Sequence, residues 1–346
     1  MKRSMIREFH ERVEVYEDGI DLTLGELDFP LDERIIEAAC TSLRNHEVGY
    51  SSTRGDQALI QKIIEAESKR GIDILPGQVL VTHGASEALS CCLLSCLQMN
   101  DKVVAIEPAY PQYRNLCELM HAQLITCEVE QLPYILNDDI KMLILNTPHN
   151  PTGRVVKRHE LNFEKWNGLI VLDEVYSDIS YQPYQNLYSS LNNVILIRSF
   201  SKSYAMGGFR LGYLICDEKL CERLTLTHQS LVSCLPLFIQ KAGIEALKHP
   251  SIPITELKKR KAFIVDRLNK MNLFFVEPQG TFYLWIKIQK SKDFCERLLL
   301  KKHVALVPSE AFGKSGYVRL SYGGSFERLK VALDRIEAFV LEEGFE

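Results

Sequence analysis

The sequence predicts an α/β protein: a mostly parallel seven-stranded sheet with helices on both faces, plus a smaller α+β lobe. Two observations predict it. Seven short aliphatic segments, at 79–82, 103–106, 124–127, 142–145, 169–172, 194–197 and 211–215, read as strands buried on both faces. Between several of them lie longer stretches of helical period, such as 86–98 and 110–121. Strand–helix alternation favours parallel pairing.

In such sheets ligands bind beyond the carboxyl ends of the strands. The polar and glycine-rich punctuation falls there. Thr82-His83-Gly84-Ala85-Ser86, Glu107-Pro108-Ala109-Tyr110, Asn146 to Gly153, Asp173-Glu174-Val175-Tyr176 and Ser199-Phe200-Ser201-Lys202 each follow a strand.

At 346 residues the chain exceeds the roughly 250–300 residues that one core usually serves. After His249-Pro250 the pattern changes to a charged helix at 254–269 and strands at 274–276 and 283–288. A further helix, a strand at 317–321 and a last helix at 326–341 follow. The expected division is a large domain of residues 28–249 and a small domain of 1–27 with 250–346. A continuous helix, rather than a loose tether, is expected across residue 250.

Hydrophobic residues make up 46% and charged residues 25% of the chain, ordinary for a soluble globular protein. A net charge of −4 offers no electrostatic grip on nucleic acid. The stretch 88–99 is broken by Ser90, Ser95 and Gln98, and falls short of the ~20 residues of a membrane helix. The basic N-terminus has no apolar core behind it, so no secretory signal is visible. Ten cysteines lie mostly in apolar segments, without paired Cys-x-x-Cys elements. They read as reduced thiols of a cytoplasmic protein and give a metal site little support.

Lys202 follows a buried strand and precedes a loop of small residues. Ser199, Ser201 and Arg210 stand close to it in sequence and could offer hydroxyls and a guanidinium to one phosphate. A lysine beside a bound aldehyde can form a Schiff base. Gly84-Ala85-Ser86 opens a helix directly after a strand, where free backbone N–H groups and the helix dipole favour phosphate. Arg319 lies between apolar residues on an expected strand with no acid beside it, a costly placement unless an anion pairs with it.

The run Ser-Phe-Ser-Lys-Ser-Tyr-Ala-Met-Gly-Gly-Phe-Arg-Leu-Gly-Tyr, from Ser199 to Tyr213, resembles the cofactor-lysine motif of the class I/II aminotransferases, the aspartate aminotransferase fold family. Matching motifs run in family order from Gly25 to Arg319. The resemblance implies a fold type I enzyme that uses pyridoxal 5′-phosphate, with Lys202 as the cofactor lysine. It implies that Asp173 pairs with the pyridine nitrogen, and that Tyr176 and Asn150 contact the phenolic oxygen. It places Tyr110 on the ring face and gives Gly84, Ala85, Ser86, Ser199, Ser201 and Arg210 to the phosphate. Arg319, with Asn150, would clamp the substrate carboxylate, and Gly25 would lie in a segment closing over it. Tyr50 would reach the phosphate of a neighbouring subunit, which implies a homodimer.

The implied reaction moves an amino group between an α-amino acid and a 2-oxo acid. A carbon–sulfur β-lyase or a non-catalytic sensor of the same cofactor are alternatives, because the protein decides the fate of the carbanion. A sensor of that kind carries a DNA-binding domain, and no basic helix-turn-helix is present before Gly25. No Gly-x-Gly-x-x-Gly follows a strand, which argues against a dinucleotide site. Many bacterial aspartate-type members have a lysine near the Ser86 position. Here Gly-Ala-Ser is followed by Glu87, which sets an aspartate preference in question.

Overall fold

The computed structural model describes residues 3–163 and 166–344. Seven strands form one sheet, in the order Val79–Thr82, Gly212–Ile215, Val194–Ser199, Leu169–Asp173, Ile140–Asn146, Lys102–Ile106 and Gln123–Cys127. Gly212–Ile215 runs antiparallel to both neighbours, and the remaining pairs are parallel. Every expected strand is present, within two residues at either end.

Alternation along the strands fills two cores, because successive side chains point to opposite faces. Leu143, Leu145, Ile170, Leu172 and Leu196 pack on one face with Leu59, Ile63 and Ala242. The latter come from the helices Gln57–Ser68 and Leu237–Ala246. Met142, Ile144, Val171, Ile195 and Ile197 pack on the other face with Leu89, Cys92 and Leu224. Those come from the helices Gly84–Cys96 and Glu218–Val232. Aspartates start two of the four helices: Asp56 accepts from the amides of Ala58 and Leu59, and Asp217 from that of Leu220.

A third core joins the two ends of the chain. Phe9, Val13, Ile20 and Leu22 pack with Leu257, Leu298, Leu320, Leu333 and Phe339. Ile20–Asp21 pairs in parallel with Val304–Ala305. A four-stranded antiparallel sheet lies here, in the order Val307–Pro308, Tyr317–Ser321, Tyr283–Lys287 and Phe275–Val276. Residues 1–2 and 345–346 of the expected small domain lie outside the described residues.

The continuous helix expected across residue 250 does not form. One helix ends at Ala246 and the next starts at Ile254. Pro250 lacks a donor N–H and disfavours helical geometry at His249, and Pro253 stands just before the new helix. Both prolines were visible in the sequence and outweigh the helical period on either side. The helix Met5–Val13, which buries Ile6, Phe9 and Val13, was not anticipated.

Among the described residues, no helix is long and apolar enough to cross a membrane. All ten cysteines are free thiols.

Candidate active site

The strand ends open on a cavity of about 860 Å³, lined by residues from both the large sheet and the antiparallel sheet. That volume suits a ligand of cofactor size. Lys202, Asp173, Tyr176, Tyr110, Asn150, Ala85, Ser86, Ser199, Ser201, Arg210, Gly25 and Arg319 all line it. Gly84 lies directly behind, within reach of Arg210. Tyr50 does not line the cavity of its own chain; it is 94% exposed.

Lys202 sits in the short helix Phe200–Ser203, immediately after the strand Val194–Ser199. The Ser199 hydroxyl caps that helix by accepting from the Ser201 amide. Lys202 Nζ donates to the Gly25 carbonyl. Burial pushes its pKa down to about 8; Glu26 opposes the fall, while Arg319, Arg210 and Arg7 add to it. An amine so placed loses its proton far more readily than a surface lysine, and the free amine is the nucleophile.

Asp173 ends its strand inside the fold, 4% exposed. Its Oδ2 accepts from the Tyr113 hydroxyl at 2.6 Å, and no cation among the described residues pairs with it. Burial raises its pKa, opposed by the Tyr113 hydrogen bond. Tyr110 precedes the helix Pro111–Leu119, edge-on to Tyr113 with ring centres 5.6 Å apart.

Arg319 mirrors Asp173 with the opposite charge. It is 1% exposed, on the strand Tyr317–Ser321. It donates to Asn150 Oδ1 at 2.9 Å and to the Thr23 carbonyl. Its Nε finds no partner, and no carboxylate among the described residues pairs with it. The guanidinium lies 4.4 Å from the centre of the Tyr283 ring and 5.0 Å from that of Phe312. Asn150 is itself fixed, because its amide donates to Asn146 Oδ1 at 2.8 Å.

Gly84 has a φ of +70° at the start of its helix, and a Cβ there would stand 2.9 Å from an Arg210 nitrogen. Glycine satisfies both demands. Arg210 adopts left-handed geometry, holds the Gly207 carbonyl at 3.0 Å and is otherwise open to the cavity. A helix N-terminus, two serines and an arginine thus meet at one end of the cavity.

The profile of the family described as "Aminotransferase class I and II" matches residues 17–336. An aspartate aminotransferase of Thermotoga maritima is 38% identical over 346 residues, covering 94% of this chain and 92% of the relative. The chain belongs to the class I and II aminotransferases. A probable N-acetyl-LL-diaminopimelate aminotransferase of Bacillus subtilis is 31% identical, covering 98% of this chain and 94% of the relative. The crystal structure of the Thermotoga maritima aspartate aminotransferase superposes with a TM-score of 0.92 at 35% identity, covering 98% of each chain. This aminotransferase is therefore an enzyme that transfers nitrogenous groups, with the fold of its family. Members of the family use pyridoxal 5′-phosphate.

Three residues of the cavity region escaped the sequence reading. Tyr113 holds Asp173 and stands one helical turn after Tyr110, a spacing that could have drawn notice. Tyr283 lines the cavity, and its hydroxyl lies 2.9 Å from that of Tyr176. Arg7 reaches the cavity from the N-terminal helix. Nothing local in the sequence marks the last two.

Proposed function

We propose that pyridoxal 5′-phosphate binds in this cavity, that Lys202 carries it, and that the substrates are an α-amino acid and a 2-oxo acid. One observation carries the reading: Asp173 and Arg319 are buried charges of opposite sign, each without an ion-pair partner among the described residues, facing the same cavity as Lys202. Buried charges left unpaired are costly, so ligand groups of the complementary charge account for both.

The cofactor, when bound, supplies a sink for the electron pair left when the substrate Cα loses its proton. Asp173 presents its carboxylate to the ring nitrogen and keeps that nitrogen protonated. Tyr176 and Asn150 offer hydrogen bonds to the phenolic oxygen, and Tyr110 covers the ring face. The amides at Gly84, Ala85 and Ser86, the hydroxyls of Ser199 and Ser201, and Arg210 hold the phosphate. Arg319, steadied by Asn150, receives the substrate carboxylate in two parallel hydrogen bonds and so orients the Cα–H bond. Lys202 Nζ would move the substrate proton from Cα to the cofactor carbon two bonds away, across the intervening nitrogen, as base and then as acid.

The exposure of Tyr50 supports a further part of the proposal: a homodimer in which Tyr50 reaches the phosphate of the partner's site. The shared core of residues 9–22 with residues 257–339 supports the division into 28–249 and 1–27 with 250–346. Ten free thiols support a cytoplasmic location.

Borohydride trapping followed by peptide mapping tests the reading. Cofactor should be fixed on the peptide holding Lys202, and label on any other lysine refutes the assignment. A panel of amino donors with 2-oxoglutarate and pyruvate then reads the substrate class.

A further inference from the structure

We propose that Tyr283 is a positioning residue whose hydroxyl donates to Tyr176 and thereby commits the Tyr176 proton to the ligand side of the cavity. The inference rests on the reading of Tyr176 as a donor to the cofactor's phenolic oxygen.

Tyr283 begins the strand Tyr283–Lys287 and is 1% exposed. Three elements of the site meet on it. Its hydroxyl lies 2.9 Å from the Tyr176 hydroxyl, where either oxygen could be the donor. Its ring carries the Arg319 guanidinium at 4.4 Å. The Gly25 backbone packs so closely that a Cβ at 25 would stand 2.1 Å from the Tyr283 hydroxyl and 3.2 Å from Lys202 Nζ. Glycine at 25 is thus required by the hydroxyl of a residue far along the chain.

A hydroxyl has one proton to give. If Tyr176 spends its proton on a ligand oxygen, its own oxygen must accept from the other side, and the Tyr283 hydroxyl is the group in place to donate. The reverse direction would aim the Tyr176 proton at Tyr283 and leave the ligand oxygen without it. Burial keeps both phenols protonated; Arg319 makes both protons more acidic, but it ranks second among the influences on Tyr283, whose ring it covers, and last among those on Tyr176, and so favours donation from Tyr283. Chained hydroxyls polarise one another, so the second donor strengthens the first. The other titratable groups acting on this pair are Tyr110, Tyr113 and Arg319, while Lys202 and Glu26 stand across Gly25.

The visible absorbance of the bound cofactor, titrated against pH, gives the test. Stronger donation to the phenolic oxygen favours its anionic form and loosens the proton it shares with Lys202 Nζ. Tyr283→Phe keeps the ring and the packing but removes the donor. The apparent pKa of the absorbance change should rise by about 0.5–1 pH unit, the worth of one neutral hydrogen bond acting on the phenolic oxygen through Tyr176. In a Tyr176→Phe background the same substitution should leave the titration unmoved, which a merely structural effect would not do. Gly25→Ala offers a second route, since its Cβ displaces the Tyr283 hydroxyl without removing it; because that Cβ also crowds Lys202 Nζ, its effect is read as the part of the pKa rise that disappears in the Tyr176→Phe background. This variant decides the matter if Tyr283→Phe fails to fold. An unshifted titration in the single variants, or an equal shift when Tyr176 is already Phe, overturns the proposal. Wild-type protein whose absorbance is unchanged on adding pyridoxal 5′-phosphate instead overturns the reading of the site, and this inference with it.

Discussion

Two systems of buried charge lie one residue apart and are treated in opposite ways. Behind the sheet, Arg198 meets Glu67 at 3.2 Å and Glu174 at 2.9 Å. Arg70 joins Glu67 at 2.7 Å and Asp178 at 2.8 Å, and the Tyr213 hydroxyl donates to Glu67 at 2.6 Å. Every charge there has an opposite neighbour. On the cavity side, Asp173 directly precedes Glu174, and Ser199 directly follows Arg198. Here Asp173 and Arg319 have hydrogen bonds but no counter-charge among the described residues. Charges paired within the chain hold strands and helices in register. Charges left unpaired at a cavity are reserved for what enters it. Substitutions in the two systems should therefore fail differently.

The largest expected effect is at Lys202. Lys202→Ala should cut turnover by about 10³-fold or more, the scale of losing a positioned acid–base group, while the urea midpoint of cofactor-free protein at neutral pH does not fall, because a buried charge has gone. A turnover within tenfold of wild type would break the assignment. Asp173→Ala should reduce turnover about 10²–10³-fold and still take up cofactor, read by absorbance. Its cofactor-free form should melt no lower than wild type, because an uncompensated buried acid has gone. Arg319→Lys keeps the charge and loses the planar fork. Its kcat/KM for every amino acid tested should drop about 10²-fold, an order of magnitude for misplacing the reacting bond. Amines without a carboxylate should be poor substrates of the wild type and lose little.

Across the sheet the balance reverses. Glu67→Gln leaves Arg198 and Arg70 short of a partner and should cost about 3–5 kcal/mol of stability, measured by urea unfolding. Turnover of the protein that remains folded should stay within a few-fold of wild type.

The smallest effect is a pH dependence. Lys202 gives up its proton near pH 8 in the folded chain, against an ordinary value of 10.5. Between those values the unfolded chain binds the extra proton, so cofactor-free protein should gain stability as pH rises through that window. Lys202→Met should lack this rise. The rate of cofactor uptake should climb with a midpoint near 8, as the free amine forms.

Much of this was legible in the sequence, for a physical reason. Parallel strands covered on both faces must be aliphatic runs, so 142–145 and 194–197 could be read as strands directly. Ligand groups gather where such strands end, so Asp173 and Lys202 could be found by position. Arg319 stood out as a charge among apolar neighbours. The residues that escaped owe their roles to chain segments brought together only by folding. Tyr283 and Tyr176 are 107 positions apart, Tyr113 and Asp173 are 60 apart, and Thr23 and Arg319 are 296 apart. No local pattern records such contacts. The break near residue 250 is the reverse case: Pro250 and Pro253 mark it in the sequence, and their backbone constraints override the helical period on either side.

The pairing of Ile20–Asp21 with Val304–Ala305 also sets an order of events during synthesis. The strand Ile20–Asp21 leaves the ribosome long before the partner it pairs with. At roughly 5–20 residues per second that delay is tens of seconds, ample for the large sheet to close and bury its own cores first. Meanwhile the apolar face of the N-terminal helix, with Phe9 and Val13, has nothing to cover it. A nascent chain stalled before Val304 would already hold Lys202 and Asp173 in place. It would lack Arg319, and with it the group proposed to receive the substrate carboxylate.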